Sequence, residues 1–393
     1  MNSFAVHAGS LFDGFTASGP ATVYITGDRI VRVDRTGALP TDGSSVIDLG
    51  SQSCLLPGLI DSHTHLSFDA GPDPVTSLAA TDDTDLLTHM RAAAQSALRA
   101  GITTIRDFGD RNYLSLTLVE ELTQHPEQGP EILTSGPPLT TRGGHCHFFG
   151  GEVEGPEELR AAVRERHGRG CAVVKIMASG GNLTPGSVPP HASQYGIEDL
   201  RAVVDEAHHL GLPVAAHAHG VQAISDALEA GVDSLEHVSF LTPDGVHPNP
   251  NLLNAIVESG SFVSLTLGWD RRVAVELPKA IAVHLDKILA VFRDLHELGA
   301  KIVIGSDAGI APDKPHDVLP HGVGDLSRLG ISPIDALISV TSMAARLCHV
   351  EGRKGRIAAG VDADLLAVTG DPLQNPAALL DVQAVFRAGV RVR

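Results

Sequence analysis

The chain has 393 residues, 43% of them apolar and 19% charged, with a mean hydropathy of +0.08. That balance excludes a disordered chain, a collagen-like repeat and a disulfide-stapled miniature; the length suits one large domain with an appendage. Against 47 acidic residues stand 29 basic ones, a net charge of −18 without a long basic tract, which points away from nucleic acid and anionic membrane as partners.

The first fifty-odd residues carry short β-rich runs at 21–25, 30–33 and 45–49, separated by Gly, Asp and Pro as in hairpins. The opening MNSFAVHAGSLFDG has no basic segment followed by an apolar one, and no run of 18 apolar residues occurs, so the expectation is a cytoplasmic protein with no membrane span. Cys54, Cys146, Cys171 and Cys348 are scattered without a Cys-x-x-Cys pair, which argues against a disulfide framework and a thiolate zinc site.

From residue 57 the pattern alternates. Strands are predicted at 59–66, 103–108, 131–135, 173–178, 214–217, 234–237, 262–265 and 301–306, with helices at 86–99, 157–167, 197–210, 221–230, 253–258 and 285–298 among those between them. Gly101, Gly211, Gly231 and Gly299 close helices just before the next apolar run. The count is that of a (β/α)8 TIM barrel, and a doubly wound sheet loses for want of a G-x-G-x-x-G on an early strand–helix turn. Short strands return at 355–357, 363–368 and 384–393. The expected organisation is a barrel over 57–348, with 1–56 and 349–393 pairing into one small β-sandwich, since neither end could bury a core alone.

The ends of the predicted strands carry the chemistry. The first ends in Asp61-Ser-His63-Thr-His65, where residues two apart share a face, so two imidazoles stand side by side. The fourth holds Lys175 in an apolar run; the fifth ends in His217-Ala-His219, the sixth in Glu236-His237, the eighth in Gly305-Ser-Asp307. Histidines with a carboxylate make a first-row metal site, zinc leading and manganese, iron or cobalt open. An ammonium buried among metal ions is doubly unfavourable, whereas a desolvated neutral amine can add carbon dioxide and become a two-oxygen carbamate able to bridge two cations. Lys175 therefore makes sense as an N6-carboxylated ligand.

The set Leu56-Pro-Gly-Leu-Ile-Asp-Ser-His63-Thr-His65, Val174-Lys175-Ile-Met-Ala-Ser-Gly-Gly181, His217-Ala-His-Gly220, Glu236-His237 and Gly305-Ser-Asp307 resembles the metal-dependent amidohydrolase superfamily, more narrowly its imidazolonepropionase-related, prolidase-like branch. The resemblance implies one metal held by His63, His65 and Asp307 with one oxygen of carboxylated Lys175, and a second held by His217 and His237 with the other. It further implies a hydroxide shared by the ions that attacks a C–N carbonyl, with Asp307 as general base and then acid. The implied activity is hydrolysis of an amide, peptide-like or cyclic amide bond in a small molecule. Deamination of an aminated heterocycle, or metal-assisted decarboxylase or lyase chemistry, are the alternatives. Homo-oligomerisation is left open.

Other residues carry two readings. Asp61 either orients a ligand imidazole or caps the strand end. His219 either contacts substrate or bonds structurally, and His145, in a glycine-rich loop, is favoured for a substrate role. Tyr195 is a candidate substrate contact; Gly180 and Gly181 either admit substrate to the backbone or loosen the loop. Arg271 and Arg272 hold a substrate carboxylate or form salt bridges, and Cys146 is expected to be a buried, inert thiol.

Overall fold

The computed structural model describes residues 3–40, 43, 45–274 and 277–393. The alternating middle of the chain yields parallel strands β1 (Leu59–Thr64), β2 (Ile102–Asp107), β3 (Glu131–Thr134), β4 (Val174–Met177), β5 (Val214–Gly220), β6 (Ser234–Thr242), β7 (Phe262–Thr266) and β8 (Lys301–Gly305). They form two sheets, ordered β3-β2-β1 and β4-β5-β6-β7-β8. Isolated parallel bridges link their edges, Leu139 with Ile176 on one side and Thr64 with Ala308 on the other. These strands read as continuous apolar runs because both faces are covered, one by strand-facing side chains and the other by helices. In β5 every residue is buried.

Helices return the chain between strands, among them Asp83–Arg99, Pro156–Arg169, Ile197–His209, Val221–Ala230 and Leu285–Glu297. Asp82 starts the first of these by accepting from the backbone N–H groups of Thr84 and Asp85. The predicted stop signals at Gly101, Gly211, Gly231 and Gly299 all have φ between +76° and +89°, the left-handed turn that lets a helix end in a tight bend. The sixth strand runs past its predicted end at residue 237 to Thr242, where Gly245–Val246 pairs with it antiparallel.

The two ends of the chain meet. Ser53–Pro57 pairs antiparallel with Leu365–Thr369, which pairs with Val382–Arg387, so one sheet draws strands from both termini. A second sheet orders Arg29–Asp34, Ala21–Thr26, Ser3–Ala8 and Val46–Asp48. Val6, Val23 and Ile25 of the latter and Leu55, Leu365 and Phe386 of the former belong to one apolar cluster, distinct from the main core of strands and helices.

A buried ion network joins the terminal sheet to the parallel strands. Lys354 Nζ lies 3.2 Å from Glu131 of β3 and 3.1 Å from Asp362, and also contacts Asp364. Arg353 pairs with Glu131 and Asp362, and Arg387 reaches Asp364 at 3.2 Å. Burial alone would raise the Glu131 pKa, but the charges of Arg353, Lys354 and Arg387 hold it down at about 2. A depressed carboxylate pKa contributes stability that is present above its unfolded value and lost as pH falls through the folded one. Stability followed by urea unfolding should therefore decline between about pH 4.5 and pH 2, and Lys354→Met, which strands three carboxylates on the remaining arginines, should cost about 3 kcal/mol or more.

Candidate active site

Two groups of side chains with metal-ligating atoms within 4.8 Å of one another lie at the C-terminal ends of the parallel strands: His63, His65 and Asp307, and His217, His219 and His237. His63 and His237 link the groups, their ring centroids 5.1 Å apart. Asp307 Oδ1 sits 3.1 Å from His65 Nε2 and 3.5 Å from His63 Nε2. Both His237 and Asp307 hold their backbones at positive φ, +72° and +57°, a strained conformation for residues with a Cβ. Gly305 makes room for His63: a Cβ there would come within 2.2 Å of the His63 Cβ.

Burial sets the protonation states. It pushes the His63 pKa down to about 4 and that of His145 to about 3, and drives His217 and His237 well below their ordinary value, so these imidazoles present free lone pairs. Asp307 keeps its charge: burial opposes it, but the neighbouring histidines and Lys314 hold its carboxyl well below the usual range.

Lys175 is 1% exposed, and its Nζ meets no hydrogen-bond partner among the described residues. It lies 4.3 Å from the centroid of the Phe108 ring, whose edge also packs against His63. Desolvation lowers its pKa to about 8, the direction that frees an amine for carboxylation. The buried His65 Nδ1 is likewise without a partner among the described residues. An orphaned amine and two clusters of imidazoles with one carboxylate suit a pair of divalent cations and a modified lysine.

Behind these residues stands a second layer. Glu236 accepts from His63 Nδ1 at 2.8 Å, receives Arg106 Nη2 at 3.0 Å and takes the Ser234 hydroxyl at 2.6 Å. Its pKa falls to about 2, burial being outweighed by Arg106 and His63. Lys314 Nζ donates to the carbonyls of Thr266 and Ser306, tying the loops after β7 and β8 together. Sequence reasoning assigns no role to Glu236, Arg106 or Lys314. A signal exists for the first two: opposite charges embedded in strands otherwise buried on both faces need each other.

The remaining candidates divide. His145 lines the cavity, its Nδ1 3.1 Å from the Thr184 hydroxyl and its ring 4.8 Å from that of His217. His219 also lines it, bonded to Ser239 through Nδ1 and stacked on His237. Tyr195 does not reach the cavity wall: its ring is packed in the main core and its hydroxyl donates to the Val153 carbonyl at 2.8 Å, which corrects the expectation of a substrate contact. Asp61 accepts from the backbone of His63 and from both N–H and hydroxyl of Ser306, so it fixes the strand end and touches no imidazole ring. Gly181 lets the His145 ring approach, a Cβ there falling 2.3 Å from Nε2. Arg271 pairs with Asp325 and Arg272 with Asp270, each at 2.8 Å. The Cys146 thiol is buried, its pKa raised to about 12.

Residues 54–392 match the family model described as the Amidohydrolase family. Ochratoxinase of Aspergillus niger is 28% identical over 361 residues, covering 84% of this chain and 73% of the relative. Imidazolonepropionase of Rubrobacter xylanophilus is 25% identical over 385 residues, 88% of this chain and 84% of its own. A solved Xaa-Pro dipeptidase with methionine bound in its active site superposes with a TM-score of 0.87 at 27% identity, covering 99% of both chains. The match extends over most of the sequence and takes in every strand end described above: the chain belongs to the amidohydrolase family.

Proposed function

We propose that this hydrolase of C–N bonds works with two divalent ions, zinc first among the candidates, held by His63, His65 and Asp307 on one side and by His217 and His237 on the other, with N6-carboxylated Lys175 shared between them. The observation that carries the reading is the buried, unpartnered Lys175 amine in the same cavity as both ligand groups. Relatives named for hydrolysing amide-type bonds support it: an ochratoxinase, an imidazolonepropionase and a Xaa-Pro dipeptidase. For the fold, the two parallel sheets and the bridges joining their edges support a closed (β/α)8 barrel over 57–348, and the shared apolar cluster of the terminal sheets supports a β-sandwich of 1–56 with 349–393.

Bound in this site, the ions supply Lewis-acid polarisation of a carbonyl and water acidified to near neutral pH. The protein supplies the rest. Asp307, ionised and open to the cavity, takes the proton of the attacking water on a carboxylate oxygen and passes it to the leaving nitrogen. His145 and His219 hold the substrate from the side of the second ligand group. Glu236 fixes the ring of His63 by holding its Nδ1, and Arg106 keeps that carboxylate ionised. The substrate is a small molecule, which the cavity of about 760 Å³ accommodates.

Lys175→Ala should reduce bound metal, measured by elemental analysis, and lower amide hydrolysis by roughly 100-fold or more. Full metal content and activity in that variant would remove the carbamate from the reading. Protein prepared in labelled bicarbonate should show a carbamate carbon resonance that the variant lacks. Glu236→Gln keeps the shape but loses the charge that orients His63, so its metal affinity by chelator competition should fall roughly 10–100-fold.

A further inference from the structure

We infer that the molecule hydrolysed here is uncharged at the end remote from the scissile bond and carries there a bulky hydrocarbon group, with no free carboxylate. The inference rests on the hydrolase reading and adds the chemistry of the substrate.

The cavity changes character with depth. At its base lie the imidazoles, Lys175 and Asp307; the rest of the wall is mostly apolar, and its charged members other than Lys314 are the carboxylates Asp73 and Asp313. One stretch after β7 supplies Trp269, Ile281, Leu285, Ile288 and Phe292, and Leu183 faces the cavity from the loop after β4. Ile288 and Phe292 are 3% and 5% exposed, so this is a built surface of the helix Leu285–Glu297.

A remote carboxylate would find no unbalanced cation here. Among the described lining residues only Lys175 and Lys314 are basic. Lys175 lies among the candidate ligands, and Lys314, whose Nζ is 4.8 Å from the Trp269 ring centroid, donates to the Thr266 and Ser306 carbonyls at 3.0 and 2.8 Å and has its charge offset by Asp307, Asp313, Asp325 and Asp61. Arg271 and Arg272, which leave β7 beside Trp269, are paired with Asp325 and Asp270 and line no part of the cavity. Asp73, exposed at the rim, caps the helix Pro74–Ala80 by accepting from Thr76. Removing a carboxylate from water against such a wall, with no guanidinium and no ammonium free of its own carboxylates to meet it, is strongly unfavourable, whereas a hydrocarbon group gains by the same transfer. The indole N–H of Trp269, a residue of this wall, is buried and meets no acceptor among the described residues.

The test compares two anilides of one short acyl group, identical except for the ring substituent, a methyl in one and a carboxylate in the other. With metal-loaded protein, kcat/KM should favour the neutral anilide by about 100-fold. Leu285→Arg, or Ile281→Arg should the first fail to fold, should shrink or reverse that ratio by placing a cation in the wall. Titration calorimetry on metal-free protein should detect binding of the neutral anilide with a negative heat-capacity change, and none of the carboxylate. Equal or better turnover of the carboxylate, or a ratio unmoved by a folded arginine variant, would overturn the inference. Should no amide be turned over while the calorimetric preference persists, the apolar site stands and the hydrolytic reading beneath it falls.

Discussion

A charged amine cannot remain unpartnered in a dry protein interior without a penalty of several kcal/mol, and Lys175 occupies such a place. Two escapes are open to it: release of the proton, toward which burial already moves it, or conversion into an anion that cations can neutralise. The rest of the cavity base is consistent with the second. Burial disfavours the charged forms of His217 and His237, so they offer lone pairs and add no positive charge, while Asp307 stays ionised. Positive charge is what such an anionic ensemble would lack, and it is what the proposed divalent ions would supply.

The same logic governs the layer behind. Glu236 and Arg106 are both buried, and neither would be tolerated alone. Together with Ser234 and His63 they form a network in which the carboxylate satisfies three donors, and the outcome is a fixed orientation for one ring. Lys314 has the corresponding task for backbone: it holds two loops by their carbonyls, keeping the strand end that carries Asp307 in register with the end of β7.

Much of this is legible in the order of residues alone. The period-two rule pairs His63 with His65 and His217 with His219, and placing chemistry at strand ends selects Lys175, His237 and Asp307 without reference to contacts. The need of two short terminal segments for a common core anticipates the pairing of Ser53–Pro57 with Leu365–Thr369. What escapes is long-range. That Glu236 meets His63 and Arg106 depends on which strands face one another across the interior, which local pattern does not encode. Tyr195 misleads because a loop tyrosine near glycines resembles a binding residue until its ring is found in the core with the hydroxyl on Val153. The apolar wall stays hidden for a related reason: the helix Leu285–Glu297 has the ordinary amphipathic pattern, and nothing in that periodicity says that part of its apolar face borders a cavity.

The wall and the chemistry come from different parts of the chain. Candidate ligands are dispersed over strand ends from His63 to Asp307, each locked by its own backbone and neighbours. About half of the apolar lining residues come from one stretch of the chain between Trp269 and Phe292. Such a layout behaves like a tool with an interchangeable head: exchanging that single stretch would redirect which molecules are accepted while the reactive centre is left undisturbed. Diversification within this lineage, natural or directed, has in that stretch a short cassette on which to act.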